Sequence, residues 1–487
     1  MNEYELTRRA FLASAGAFAS AAGAAPARTA NPERPPNVLF IICDQMRGDA
    51  LSCLGSANAR TPNLDALAAE GVLAERCFSN SPVCAPSRVS LFSGQYPHEH
   101  GKLTNQVGDF IGHPSGSMLG WFHEQGYRLG WVGKNHTCDE HVLEGLDFFV
   151  ERRREPFRRY INPHVPPWWH GDMYWPEQAC YPPRNTADAE EFLRGNKRNE
   201  PFFLHVSYFD PHPPYFAPAA WSRQFADMAL PDYVPPERLS ARLAEQQRAL
   251  HYDRITEADL KATMQRYYAS VAWGVDQQAG RLMRVLDDTG QAENTVVLFL
   301  ADHGDFMGHF RMVRKAMFLY DHLLHVPMVW RAPGRLPAGR RMRDLVEGVD
   351  VWPTLAALCG GPAPERSGRN VADWLRGAAA SETERAVVAS AAYSDLPEDY
   401  FDDPEPLVLP DSERAFHKRV QDRTWQADEN TVSVRTREWR FVLNESRPPE
   451  LYRLDGGLYE TENVADRAEY ADVRRSLEQR AREAWAF

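Results

Sequence analysis

The 487-residue sequence predicts an α/β fold: a large, mostly parallel sheet sandwiched by helices, then a smaller C-terminal antiparallel sheet plus helix. Three observations carry the prediction. Continuous apolar, β-branched runs such as 37–43 fit strands buried on both faces, as in a parallel sheet covered by helices. These runs alternate with helical stretches, the pattern of parallel strands joined by crossovers. Beyond Ala378 the pattern changes to short strands at 386–391, 431–435 and 439–443, ahead of a polar amphipathic helix that runs to Phe487.

Taken in order, the first strand stops at Asp44-Gln45. A helix follows over 61–71, with Thr61 as cap, Pro62 in the first turn and Gly71 at the exit. A short strand at 127–132 runs into Gly133-Lys134-Asn135-His136, and one at 202–208 ends before Asp210-Pro211-His212-Pro213-Pro214. A fourth, 295–300, ends at Asp302-His303-Gly304-Asp305. Helices are predicted at 116–125 and 260–289, the second interrupted by Gly274 and Gly280. Ligands of open α/β sheets collect at the carboxyl ends of the strands. Four such ends here carry the residue types that a metal and an anion need.

Between the first two of these strands lies Ser81-Pro82-Val83-Cys84-Ala85-Pro86-Ser87-Arg88, followed by the apolar run 89–92. Pro86 suits the first turn of a helix, so Cys84 is expected just before a helix N-terminus, where free amides and the dipole favour an anion. Arg88 adds a planar, permanently charged fork one turn in. The stretch is an anion site with a modifiable side chain at its mouth. Asp44 and Asp302 are hard oxygen donors and Gln45 adds a neutral carbonyl oxygen, a set suited to Ca2+. His303 shifts the preference toward Mn2+ or a later transition metal.

Composition limits the partners. With 55 Lys and Arg against 67 Asp and Glu, the net charge of −12 leaves no basic excess for nucleic acid. Seven cysteines show no C-x-x-C spacing, which argues against a zinc site, and the six besides Cys84 are free to pair outside the cytoplasm. At the N-terminus, Arg8-Arg9 precedes a run of Ala, Gly and Ser that ends near Ala27. It reads as a twin-arginine export signal over 1–27, too poor in large apolar residues for a membrane span. The expected location is therefore the periplasm or beyond, with no stable membrane anchor.

Cys84-Ala85-Pro86-Ser87-Arg88 resembles the C-x-P-S-R signature of type I sulfatases, a branch of the alkaline phosphatase superfamily. Gly133-Lys134-Asn135-His136 resembles the G-K-x-H element of that family, and Asp210 to Pro214 the loop that carries a catalytic histidine. Lys315 follows Asp302-His303-Gly304 at the distance of the family's second lysine. Glu450-Leu451-Tyr452-Arg453-Leu454, with Asn463 and Ala465 after it, is similar to the C-terminal E-L-Y-x-L…N-x-A segment. Gln45 departs from the commoner Asp-Asp and resembles the variant of choline sulfatases and phosphonate monoester hydrolases.

The resemblance implies an alkaline phosphatase-like catalytic domain over 36–377 and a small α+β subdomain over 378–487. It implies that a formylglycine-generating enzyme converts Cys84 to formylglycine, whose hydrate attacks sulfur in line. Asp44, Gln45, Asp302, His303 and the modified Cys84 would hold a divalent metal, Ca2+ by resemblance and Mn2+ as the alternative. Arg88 would hold the hydrate, while Lys134 and Lys315 clamp the sulfate oxygens. His212 or Lys315 would assist departure of the alcohol, and His136 would take the proton that releases sulfate. Asn105 and His100 are further candidates for contact with the substrate, and His309, His322 and His325 are expected to be structural. The implied substrate is a sulfate ester of a sugar or other small organic molecule. A phosphonate or phosphate ester hydrolase, or a non-catalytic anion- or glycan-binding protein with Cys84 unmodified, are the alternatives. The aromatic stretch from Trp168-Trp169-His170 to Tyr174-Trp175 fits either a cleft lining or a cap on the core.

Overall fold

A computed structural model describes residues 34–105, 111–112, 116–152, 170–173, 176–196, 200–231, 243–244, 247, 255–362, 364–378, 385–391, 429–454 and 459–485. The export signal expected over 1–27, the aromatic residues 168–169 and 174–175, and the stretch 392–428 lie outside them.

Eight strands form the main sheet: β1 Asn37–Asp44, β2 Val72–Ala74, β3 Arg128–Gly133, β4 Phe148–Val150, β5 Phe202–Pro211, β6 Thr295–Ala301, β7 Met328–Arg331 and β8 Arg340–Met342. Their spatial order is β8-β2-β7-β6-β1-β5-β3-β4. Only β7 runs against its neighbours. β1, buried along its whole length, sits centrally, pairing in parallel with β5 on one side and β6 on the other. The four strands whose ends drew attention in the sequence are thus contiguous, as β6-β1-β5-β3, and all parallel. Their carboxyl ends open side by side. The helix Cys84–Ser93 is buried at every residue and lies on the sheet through Phe92, whose ring stacks 5.7 Å from Phe40 of β1. Side chains from β1, β3 and β5 meet there around His205, which is 4.1 Å from Trp131 and 5.0 Å from Phe40. Burial drives the His205 pKa well down, so it packs as a neutral aromatic ring.

Two local expectations are corrected. Thr61 does not cap its helix in the usual way. Its hydroxyl accepts the Ser52 N–H at 2.9 Å and donates to Asp65, while the helix Pro62–Ala69 is secured from elsewhere. Asp276 reaches over from another helix, accepting the Leu64 N–H at 2.8 Å and Asn63 Nδ2 at 2.7 Å. The second correction concerns the helix expected over 260–289. It runs as Glu257–Ser270 and Gln277–Asp288, joined without a break by a π segment, Val271–Asp276. The two glycines mark close approach instead of interruption. A Cβ on Gly274 would lie 3.0 Å from Asp210, and one on Gly280 would lie 2.1 Å from Asn63 Oδ1. Wide π turns recur at functional sites, and this one lets the helix bear on Asp210, whose Oδ1 accepts the Ser270 hydroxyl at 2.7 Å.

Asp276 yields a pH prediction. Burial raises its pKa from 3.8 to about 6, against the pull of its hydrogen bonds to Asn63 and Leu64. A carboxyl whose folded pKa exceeds its unfolded value contributes stability that is present below the unfolded pKa and lost as pH rises through the folded one. Between about pH 4 and 6 this group should therefore cost the fold about 3 kcal/mol at most. Asp276→Asn keeps an acceptor for Leu64 and should flatten that decline, making the variant the more stable protein at pH 7. Denaturant midpoints of both proteins from pH 4 to 7 check this, and parallel curves would contradict it.

The C-terminal sheet is antiparallel, in the order β9 Val387–Ala391, β10 Thr431–Arg435, β11 Trp439–Asn444 and β12 Glu450–Arg453, with the helix Ala471–Ala484 against it. Asn463 explains the N-x-A segment, because its Oδ1 accepts the N–H groups of both Leu451 and Ala465 at 3.0 Å. No disulfide forms among the seven cysteines. Among the described residues, no helix is long and apolar enough to cross a membrane.

Candidate active site

The site assembles where β1, β3, β5 and β6 end, beneath the start of the helix Cys84–Ser93. Cys84 is the first residue of that helix, with Val83 as its cap, so it stands one position further in than expected. Gly94 ends the helix in the left-handed conformation. The flanks expected as substrate contacts brace this helix. Asn105 Oδ1 accepts the Ala85 N–H at 2.8 Å, and His100 Nε2 lies 3.0 Å from the Ser90 hydroxyl.

Cys84 Sγ is the point of convergence. Lys315 Nζ lies 2.7 Å from it, His303 Nε2 3.3 Å, and Lys134 Nζ and Asp44 Oδ1 3.5 Å. Burial raises a thiol's pKa, yet the ammonium groups of Lys134 and Lys315 beside it hold this one well below its usual value. Asp44 behaves likewise. Burial and the neighbouring thiolate push its pKa up, and the ammonium groups of Lys134 and Lys315 outweigh them to bring it below the ordinary range.

Lys134 is placed by backbone chemistry. Lys134 follows Gly133, whose φ of +99° and contact with Ser207 O leave no room for a Cβ. From there its ammonium pairs with Asp44 and sits 4.5 Å over the Phe209 ring. Lys315 Nζ lies 2.8 Å from His303 Nε2. Arg88 is fully buried and divides its fork: Nε donates to Asp302 Oδ2 at 2.7 Å, Nη1 to the Ser207 hydroxyl at 2.8 Å, and Nη2 reaches Asp44 Oδ2 at 3.5 Å. Arg88 therefore positions two carboxylates, a role the sequence reading did not give it.

The donors expected to hold a metal come together. Single ligand atoms of Asp44, Cys84, Asp302 and His303 all lie within 4.8 Å of one another, and all four residues are buried. His303 Nδ1 is 2.9 Å from the Gly304 carbonyl, which only accepts, so Nδ1 carries the proton and Nε2 presents a lone pair. Gln45 has a φ of +69°, its N–H donates to Asp302 Oδ1 at 3.0 Å, and its side-chain Oε1 is buried without a hydrogen-bond partner. A buried carbonyl without a partner, on the residue that follows Asp44 and whose N–H is bonded to Asp302, together with those two carboxylates and an imidazole lone pair, fits a divalent cation.

The two remaining histidines are held neutral. His212 is brought down to about 3 by burial and Lys315, and His136 to about 4 by burial and Lys134. His212 Nδ1 lies 2.6 Å from the Pro213 carbonyl and so keeps its proton there, which leaves Nε2 as an acceptor. His309, His322 and His325 lie away from Cys84. His322 stacks on Tyr459 at 4.1 Å, His309 lies tilted against both, 4.3 Å from His322 and 5.4 Å from Tyr459, and His325 Nε2 meets the Glu75 carbonyl. Sequence reasoning missed Ser207, Phe209 and Tyr215. Only their place on or just after β5 ties them to the site, and strand-end position is the one signal that pointed there.

Comparison with known proteins agrees with this geometry. The family model for sulfatases matches residues 36–361. The chain is 27% identical to an uncharacterized sulfatase, YidJ, of Escherichia coli (strain K12), over 91% of this chain and 85% of that protein. It is 30% identical to the iduronate 2-sulfatase of Mus musculus, over 68% and 70%. Among solved structures, the phosphonate monoester hydrolase of Agrobacterium radiobacter superposes with a TM-score of 0.73 at 25% identity, over 93% of this chain and 95% of that one. With the C-x-P-S-R stretch at the mouth of the site and a family match over two thirds of its length, this chain belongs to the sulfatases, hydrolases of sulfuric esters.

Proposed function

We propose that this protein hydrolyses the sulfate ester of a sugar or another small organic molecule with a formylglycine made from Cys84. The observation that carries the reading is the convergence of Lys315, Lys134 and His303 on Cys84 Sγ, at 2.7 to 3.5 Å, at the first turn of a buried helix. A formylglycine-generating enzyme is the transient partner, and the twin-arginine segment directs the protein to the periplasm or beyond. Asp44, Gln45, Asp302 and His303 would hold the cation, Ca2+ by family resemblance, with Mn2+ favoured by the imidazole. When bound, the cation supplies Lewis acidity toward sulfate oxygens and toward the attacking hydroxyl. The hydrated aldehyde supplies two hydroxyls on one carbon, one to attack and one to let sulfate go, which a thiol cannot.

The remaining work falls to the chain's own side chains. Lys134 and Lys315 stand where ammonium groups neutralise the charge that develops on sulfate oxygens. Lys315 is the proton donor to the departing alcohol, because His212, with its proton held on Nδ1 by Pro213, offers only an acceptor. His136, neutral by burial and beside Lys134, accepts the proton whose loss frees sulfate. Arg88 aims the carboxylates of Asp44 and Asp302.

A second reading, phosphonate or phosphate ester hydrolysis on the same scaffold, is favoured by Gln45 and by the likeness to the Agrobacterium phosphonate monoester hydrolase. Protein made with the modifying enzyme separates the readings. The tryptic peptide 77–88 should carry an aldehyde or its hydrate at Cys84 in the mass spectrum. The enzyme should then turn over an aryl sulfate at least tenfold faster than an aryl phosphonate ester. The reverse ratio would favour the second reading, and a plain thiol under these conditions would overturn the mechanism.

A further inference from the structure

We infer that Asp305, together with Tyr215, fixes the side-chain amide of Gln45 so that its oxygen, and not its nitrogen, is offered to the cation. The inference rests on the metal reading above and adds a positioning residue to it. Asp305 is fully buried and surrounded by donors. Its Oδ2 lies 2.6 Å from Gln45 Nε2 and accepts the Tyr215 hydroxyl at 2.7 Å, and its Oδ1 accepts the Met307 N–H at 2.8 Å. A carboxylate only accepts, so the amide atom against it must be the nitrogen. The opposite end of the same amide, Oε1, is buried with no partner.

An amide has two nearly isosteric orientations, and here only one offers an oxygen to a cation. Gln45 has little freedom to escape the choice. Its backbone is held at φ +69° between the Asp302 carboxylate, 3.0 Å from its N–H, and the Tyr267 hydroxyl, 3.2 Å from its carbonyl. In this chain the neutral amide needs a fixed acceptor behind it to hold its orientation, and Asp305 supplies it. Ligand-orienting partners of this kind typically change metal affinity 10- to 100-fold when removed.

The test uses Asp305→Asn. The Met307 N–H still requires an acceptor, so the introduced amide keeps its oxygen there and turns its NH2 toward Gln45. Gln45 must then turn over, giving its own oxygen to that NH2 and its nitrogen to the cation. Isothermal titration of metal-stripped full-length protein with Ca2+ and with Mn2+ should show affinity reduced roughly 10- to 100-fold. Adding Gln45→Glu to Asp305→Asn should restore affinity to within about threefold of wild type. The introduced carboxylate accepts from the NH2 with one oxygen and offers the other to the cation, so a purely structural defect would not be rescued this way. Affinity of Asp305→Asn within twofold of wild type, or no rescue in the double variant, overturns the inference. Should Asp305→Asn alone fail to fold, a double variant that folds and binds supports it, and one that folds without binding overturns it. Wild-type protein that binds neither ion would instead overturn the metal reading itself.

Discussion

Cys84→Ala is expected to lower turnover of a sulfate ester by on the order of 10⁵-fold or more, the scale seen when a nucleophile acting within a catalytic unit is removed. Every charged group of the site is arranged around Sγ, and none of the others can take its place. Lys134 and Lys315 lack a carbon that can hold two hydroxyls, and Asp44 is committed to Arg88 and Lys134. The fold should barely notice. The substitution removes one buried sulfur at about 1 kcal/mol, and the two ammonium groups keep Asp44 as counter-ion. The thermal midpoint should stay within about 4 °C of wild type. Steady-state kinetics on an aryl sulfate and a thermal melt, run together, decide the matter. More than about 1% residual activity would place the nucleophile elsewhere, and a collapsed melt would make Cys84 a packing residue.

Arg440→Ala is expected to have the largest effect on stability, roughly 3–5 kcal/mol, because it strips one partner from a buried charge network. Arg440 lies on β11 of the C-terminal sheet, yet its partners Leu319 and Asp321 lie within the stretch that the sulfatase family model matches. Its Nη1 donates to the Leu319 carbonyl at 2.6 Å and the Ser433 hydroxyl at 2.7 Å, its Nη2 pairs with Asp321, and its Nε lies 2.7 Å from Glu460 Oε1. Glu460 in turn accepts the Asp321 N–H at 3.0 Å, and Arg435 Nε approaches Asp321 at 3.3 Å. Without Arg440, two carboxylates stay buried with Arg435, 3.3 Å from Asp321, as the guanidinium left to them. Segment 319–321 follows closely on Lys315, so kcat should fall along with stability. The shift in denaturant midpoint measures the first effect. A loss under about 1 kcal/mol would mean that the two parts of the molecule dock through apolar contacts alone.

Much of the architecture is readable in the chain because its causes are local. Apolar β-branched runs such as 37–43 and 295–300 have one use in a protein of this size, as strands covered on both faces. Pro62, Pro86 and Gly94 mark helix starts and an exit through their own backbone preferences. The residues Asp44, Gln45, Cys84, Arg88, Lys134, His136, His212, Asp302 and His303 were legible as a set because they sit at or just after strand ends or in the first turns of a helix, where parallel sheets gather their ligands, whereas Lys315 was reached only through the family resemblance. Their partners were not legible. Thr61 reads as a cap and is used otherwise, because Asp276, more than two hundred residues away, supplies the bond instead. Gly274 and Gly280 read as breaks, and prove to be points where other elements press against a continuous helix.

The sequence by itself determined the strand-and-helix alternation, the chemistry available at each strand end and the cysteine at the mouth of the helix, since all three follow from neighbouring residues. Tertiary structure alone decided that the four polar ends are adjacent, that Arg88 is shared between Asp44 and Asp302, and that Asp305 stands behind the Gln45 amide. The physical reason is that burial leaves a charge or an amide no solvent to turn to. Its partner must then come from whatever strand order and crossover bring within about 3 Å, and no local pattern encodes that distance.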